Sequence, residues 1–321
     1  MVLWFLVVLA GLAAIGVATA GLTPEPYHDE HLSRGGAVAI AAAFSWALAA
    51  RTGGRPMIFG CLALLLGAAV IALDRDLLTT GAAVMTCSVS AVFAVMITVP
   101  AVRSLKAARE AIIAVLVAAV GAIATVGFEP VISLARFEYT TLALSLAGAL
   151  MIVYRLGAGL HGLGTRGVLT VIIGSLLLAV TLAYAELLRR YGTPGLVEWL
   201  FDGVRWSRTE LGAFPRPIEA VLGIPALVWG CHMRARRRQG WWVCAFGVAA
   251  TAPVASSALN VTVTRTESAL AVLYAVVVGI VVGFILIRAD VAATAPKGRR
   301  GRRAEEATAV RPEPKRTSAL F

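Results

Sequence analysis

The chain has 321 residues, 59% of them hydrophobic and only 15% charged, with a mean hydropathy of +0.83. A soluble domain of this length needs far more charge to cover its surface, so a water-soluble globular fold is excluded. The net charge of +11 does not point to nucleic acid, because the basic residues sit in short turns between apolar runs and in a terminal tail.

Apolar runs of about 20 residues match a hydrocarbon core of about 30 Å at about 1.5 Å rise per residue. Ten are read in order: 2–21, 36–50, 57–73, 77–99, 111–128, 139–159, 168–188, 217–233, 241–260 and 268–288. Backbone polar groups in lipid have to be satisfied within each segment, so helices are expected. The predicted fold class is all-α: a polytopic transmembrane helix bundle of about ten helices over residues 1–291. A disordered basic tail, 292–321, follows. Segments 36–50 and 57–73 are short, and a re-entrant one would alter the count. The bias toward Ala, Val, Gly and Arg fits a high-GC bacterial genome.

The first segment ends in Ala18-Thr19-Ala20, which resembles a signal-peptidase site. It lacks a basic leader and its apolar run is long, so a retained helix is expected. The loop after it reads Pro24-Glu25-Pro26-Tyr27-His28-Asp29-Glu30-His31. On a helical turn His28 and His31 share a face. Imidazole with carboxylate suits zinc or another divalent metal, and Asp74 and Asp76 in the next turn on that side are the candidates to complete such a site. A solvated loop capping the next helix is the plainer alternative. The turn Asp74-Arg75-Asp76 reads as a tight hairpin whose charges mark the water boundary.

Segment 77–99 carries Thr86, Ser88 and Ser90, and segment 241–260 carries Thr251, Pro253, Ser256, Ser257 and Asn260. Polar groups at membrane depth are exceptions that mark pathways or helix–helix hydrogen bonds. Pro253 removes a backbone donor at mid-depth. Residues 189–216 form the longest stretch between segments. Leu196, Val197, Leu200, Phe201 and Val204 recur there at helical spacing, with Trp199 and Trp206 nearby. This pattern predicts an external amphipathic helix lying in the interface. Gly279 and Gly283 form a G-x-x-x-G motif in the last segment, expected to serve close helix packing. Cys61, Cys87, Cys231 and Cys244 are dispersed and read as small apolar residues rather than as a disulfide or zinc set.

Threading from a cytoplasmic N-terminus puts 20 of the 29 Lys and Arg on the cytoplasmic side and 13 of the 18 Asp and Glu on the other. That asymmetry sets the orientation. A missed helix would reverse every later loop and spoil the separation, so an even count with both termini cytoplasmic is expected, in the plasma (inner) membrane. The run Lys297 to Arg303 then touches anionic lipid headgroups.

No G-x-x-x-x-G-K-[ST], G-x-S-x-G or H-E-x-x-H motif occurs, which argues against the commoner energy-coupled and hydrolytic classes and makes an enzyme the lesser reading. Ten helices with both ends on one side suggest a 5+5 inverted repeat, which pairs segment 77–99 with 241–260. The leading expectation is a small carrier or permease. Its midplane path would be lined by Thr86, Ser88, Ser90, Thr251, Pro253, Ser256, Ser257 and Asn260. One alternative is an envelope scaffold or lipid-presenting protein acting through its external loops, with an envelope partner or as a homodimer. Another is an enzyme on a lipid-linked substrate at the outer face, using the His28, His31, Asp74 and Asp76 set.

Overall fold

The computed structural model describes residues 2–22, 29–156, 160–237, 239–294 and 313–320, and among these the regular structure is entirely helical. The helices are α1 (Val2–Thr19), α2 (Asp29–Arg51), α3 (Pro56–Leu73), α4 (Asp76–Met96), α5 (Ser104–Gly127), α6 (Leu134–Arg155) and α7 (Leu160–Tyr191). Then come α8 (Pro194–Glu210), a π-helical turn (Ile218–Gly223), α9 (Ile224–Arg234), α10 (Gly240–Ala245), α11 (Val248–Ser256), a 3-10 turn (Ser257–Leu259) and α12 (Arg265–Thr294).

Eight helices among the described residues are long and apolar enough to cross a membrane, which makes the fold a polytopic helical bundle. The expected count of about ten is not reached on that measure. Segment 168–188 lies within the 32-residue α7, and Val171–Tyr184 is its apolar part among the described residues. Segment 217–233 is divided between the π-helical turn and the 11-residue α9.

Local chemistry sets several boundaries. Pro56 and Pro194 open α3 and α8, where a missing N–H costs nothing. Asp74 ends α3 in the left-handed region at φ 42°, a conformation aspartate tolerates better than most residues. The tight hairpin read at Asp74-Arg75-Asp76 is therefore present.

Small residues bring the helices together. A Cβ at Gly11 would lie 2.8 Å from the Gly36 carbonyl oxygen, so α1 and α2 cross nearly backbone to backbone. Trp4 fastens the same pair by donating its indole N–H to the Ala43 carbonyl at 2.8 Å. A Cβ at Gly279 would meet Ile224 at 2.6 Å, and one at Gly283 would meet Val228 at 2.7 Å. The G-x-x-x-G motif thus seats α12 against α9 within the chain.

The core runs through α4, α5, α9, α10 and α11, whose buried residues include Phe93, Met96, Leu227 and Trp241. By contrast α1, α3 and α12 present most of their apolar surface outward, the arrangement lipid requires. The bundle has two chemically distinct ends. One carries Asp74, Asp76, Glu138 and α8. The other carries Arg51, Arg234 and the segment 313–320.

Candidate functional site

The two most polar apolar segments meet directly. On α11, Thr251 is fully buried and donates its hydroxyl to the Ala91 carbonyl of α4 at 2.9 Å. One turn earlier on α4, the Cys87 thiol reaches the Ala252 carbonyl at 3.8 Å. Ser90 lies where α5 crosses: a Cβ at Gly121 would sit 2.3 Å from the Ser90 Cβ and 3.8 Å from that of Ala255. The hydroxyls of Ser88 and Ser90 are buried without a hydrogen-bond partner, while Thr86 is buried in the same stretch. Ser256 and Ser257 instead bond backward along their own helix, to the Pro253 and Val254 carbonyls at 3.2 and 2.7 Å. Asn260 accepts from the Thr262 backbone N–H and hydroxyl, which organises the turn before α12. The eight residues therefore divide: Ser90 and Thr251 lie where α4, α5 and α11 meet, Thr86 and Ser88 are buried on α4, and Pro253, Ser256, Ser257 and Asn260 lie at or just beyond the end of α11.

A charged centre lies at that end. Because α11 stops at Ser256, the Pro253 carbonyl is among its last four and receives no continuing helical bond. Arg216 joins the Ser256 hydroxyl there, donating from Nη1 to that carbonyl at 3.2 Å. The same Nη1 lies 3.8 Å from Glu138 Oε1 of α6 and 3.7 Å from Glu219 Oε1. Glu219 is fully buried, and neither carboxylate oxygen accepts a hydrogen bond. It stands on the π-helical turn, a geometry found mostly as single wide turns at functional sites. That turn packs closely on α11: a Cβ at Gly223 would fall 2.1 Å from the Ala250 amide nitrogen. Arg216 is flanked by Pro215 and Pro217, which also border an apolar groove of about 1050 Å³ lined by Tyr184 of α7 and by Trp199, Leu200 and Trp206 around α8.

At the opposite end, three charged residues of the bundle hold the chain between α4 and α5. Arg51 donates to the Met96 carbonyl at 3.0 Å and the Thr98 carbonyl at 3.4 Å. Arg234 donates to the Thr98 hydroxyl at 2.7 Å and its carbonyl at 3.2 Å, with its guanidinium 3.4 Å over the Trp241 ring. Glu110 accepts from the Val99 amide at 3.1 Å. Cations at the carbonyl end of α4 and an anion on an amide of the outgoing chain each match the local dipole. The segment 313–320 joins here. Glu313 accepts from Arg234 at 2.7 Å, and Arg316 donates to both oxygens of Glu110 at 2.9 and 2.7 Å. Arg51 donates to the Lys315 and Ser318 carbonyls at 2.8 and 2.7 Å. Residues 295–312 lie outside the described residues.

Of the metal-ligand candidates, His28 lies outside the described residues. Asp74 is ion-paired with Arg34, and Asp76 opens α4. Among the described residues no three of His, Cys, Asp or Glu converge to hold a metal ion. The four cysteines are unpaired; Cys61 is exposed and the other three are buried.

The sequence puts Glu219 at the outer end of segment 217–233, where a carboxylate reaches water or pairs with Arg189, Arg190 or Arg216, and the Arg216 ion pair is present. Sequence reasoning missed the complete burial of Glu219, and it missed Glu138 and the Pro253 carbonyl as partners. The available signal was Pro215-Arg216-Pro217, which fixes an arginine between two rigid residues just before an apolar pass. No family model matches the chain, and neither a curated protein nor a solved structure does.

Proposed function

We propose that this chain is a small carrier of the plasma membrane with both termini cytoplasmic, whose path runs along the α4–α11 contact and whose coupling group is Glu219. The supporting observation is the buried Glu219 carboxylate, without a hydrogen-bond donor, beside Arg216 at 3.7 Å. An ionisable side chain within a membrane bundle is costly and marks a site of ion or proton handling by default. Its setting supports the same reading. The π-helical turn and the end of α11 are irregular backbone packed inside the protein, the setting in which a membrane bundle tolerates it. Thr86, Ser88, Ser90 and Thr251 continue the polar line from there along α4 and α11.

In this reading Glu219 exchanges a proton or small cation, and Arg216 shifts its interaction between Glu219, Glu138 and the Pro253 carbonyl as that exchange occurs. Moving Arg216 alters the end of α11, and through Thr251 and Ala91 it alters the contact with α4. That is the mechanical link a coupled carrier requires.

The test is charge movement in proteoliposomes on a solid-supported membrane, challenged with a panel of amino acids, carboxylates, sugars and monovalent cations. Wild type is expected to give a solute- or cation-dependent current that Glu219→Gln abolishes. Equal currents from both proteins would defeat the proposal.

A second reading is favoured by the apolar groove beside α8. A cleft of about 1050 Å³ lined by tryptophan and leucine suits an acyl chain, so presentation of a lipid at that end is the alternative. Binding of a brominated detergent or lipid that quenches Trp199 and Trp206, with no current under any solute, would favour it over the carrier.

A further inference from the structure

We propose that Glu313–Leu320 is an intramolecular latch: a reversible plug whose two side chains of opposite charge occupy a matched receptor at the arginine-rich end of the bundle and hold that end closed. The inference goes beyond the carrier reading and does not depend on Glu219.

The receptor presents an anion site and a cation site. Arg234, fully buried, offers a guanidinium to Glu313, whose side chain is only 5% exposed. Glu110, fully buried, offers both carboxylate oxygens to Arg316. Arg51 then grips the backbone between and beyond them, at the Lys315 and Ser318 carbonyls, and the Leu320 amide returns a bond to the Arg51 carbonyl at 2.8 Å. Leu320 packs against the core. The spacing Glu313-Pro314-Lys315-Arg316 thus delivers one carboxylate and one guanidinium to partners of opposite sign, which gives register as well as affinity.

Each of the receptor's charged side chains keeps other partners when the plug is absent. Without it, Arg234 keeps the Thr98 hydroxyl and carbonyl and the Trp241 ring. Glu110 keeps the Val99 amide and the adjacent Arg109, at 3.0 Å. Arg51 keeps the Met96 and Thr98 carbonyls. The segment is therefore an added layer on a formed site, which is what a detachable element requires. It is tethered to α12 through residues 295–312, so rebinding is intramolecular and favoured by high local concentration.

The contacts also identify what the latch restrains. It ties the end of α2 (Arg51), the α4–α5 junction (Arg316 to the Ile97 carbonyl at 3.1 Å), α5 (Glu110) and the end of α9 (Arg234). Those ends are also joined directly, Arg51 and Arg234 to the chain after α4 and Glu110 to Val99, so release of Glu313–Leu320 removes an outer layer of ties and uncovers this end of the bundle.

The test uses the full chain carrying Cys61→Ser, which removes the exposed thiol and leaves three buried ones. Cys244 lies beside the latch, 3.9 Å from Arg234 Nη1, and Cys87 lies away from it against Ala252. Alkylation by a water-soluble maleimide is followed residue by residue by mass spectrometry. Two variants are compared with the parent: one ending after Pro312, and a full-length Glu313→Gln, Arg316→Gln double substitution. Cys244 is expected to react at least tenfold faster in both, with Cys87 still protected. A synthetic peptide of residues 313–321 is expected to restore protection to the shortened chain, and the same peptide carrying both Gln substitutions is not. Unchanged Cys244 reactivity in both variants would overturn the latch. So would exposure of Cys87 and Cys244 together without rescue by peptide, because the segment would then be a fixed part of the fold.

Discussion

The hydroxyl of Thr251 donates to the Ala91 carbonyl at 2.9 Å, and through that bond the helix ending after Pro253 is fastened to the middle of α4. A hydrogen bond to a main-chain carbonyl fixes both the depth and the rotation of the two helices. The same two helices carry Ser88 and Ser90, with buried hydroxyls that have no partner, so the contact combines one firm polar bond with unused polar capacity.

Thr251→Val keeps the side-chain shape and removes the donor. The expected loss is small, about 0.6 kcal/mol, the usual worth of a side-chain hydrogen bond between membrane helices. Reversible unfolding by increasing SDS in mixed micelles measures it. A loss several times larger would show that the bond carries the position of α11 and not only its own energy.

Gly223→Ala is expected to be far more damaging, by about 1–3 kcal/mol, because the added methyl would fall 2.1 Å from the Ala250 amide nitrogen. Gly16→Ala is the control, since nothing lies within 4 Å of a Cβ there. The two substitutions compared in the same unfolding assay separate helix propensity from close approach.

Carbodiimide labelling probes Glu219 directly. Dicyclohexylcarbodiimide partitions into apolar sites and reacts with the protonated carboxylic acid. Labelling at Glu219 is expected to fall as pH rises, because deprotonation removes the reactive form, and to vanish in Glu219→Gln. Modification confined to exposed carboxylates such as Glu198, at any pH, would show that Glu219 is closed to exchange.

At the other end, Arg234→Ala leaves Glu313 without its cation and removes the stack on Trp241, for an expected loss of about 3–5 kcal/mol. Adding Glu313→Ala to that variant is expected to recover part of the loss, since the unpaired carboxylate goes too. The double-mutant cycle, run by thermal unfolding in detergent, gives the coupling. Purely additive losses would show that the pair contributes nothing beyond its separate parts.

Much of the architecture was legible from apolar runs alone, and the proximity of segments 77–99 and 241–260 was legible from their shared polarity. Depth was not. Glu219 reads as a helix-end carboxylate because its sequence neighbours are charged or proline. The π-helical turn and the packing of Gly223 on Ala250 are what draw it fully inside. Arg51 and Arg234 read only as charges of cytoplasmic turns, since the orientation rule counts charges without asking what lies over them. Both are buried, and both bond to the carbonyls that end α4. The docking of residues 313–320 was illegible for a similar reason. A tail with few apolar residues reads as solvated, yet Glu313 and Arg316 find partners 79 and 206 positions away. Composition averages cannot register two such matches.

The wide turn at Ile218–Gly223 has one more effect. An α-helix rotates about 100° per residue, and a π turn holds about one residue more than an α turn. Everything after Gly223 is therefore re-phased relative to Glu219 by roughly one residue step. Ile224 and Val228 keep their seats against Gly279 and Gly283 of α12, while Glu219 points to Arg216 and the end of α11. Deleting one residue from this turn would alter no contacting side chain on α9, yet it would swing the carboxylate off its neighbours. The aim of the charge is set by chain length, like a washer under a bolt head, and not by the chemistry of any group nearby.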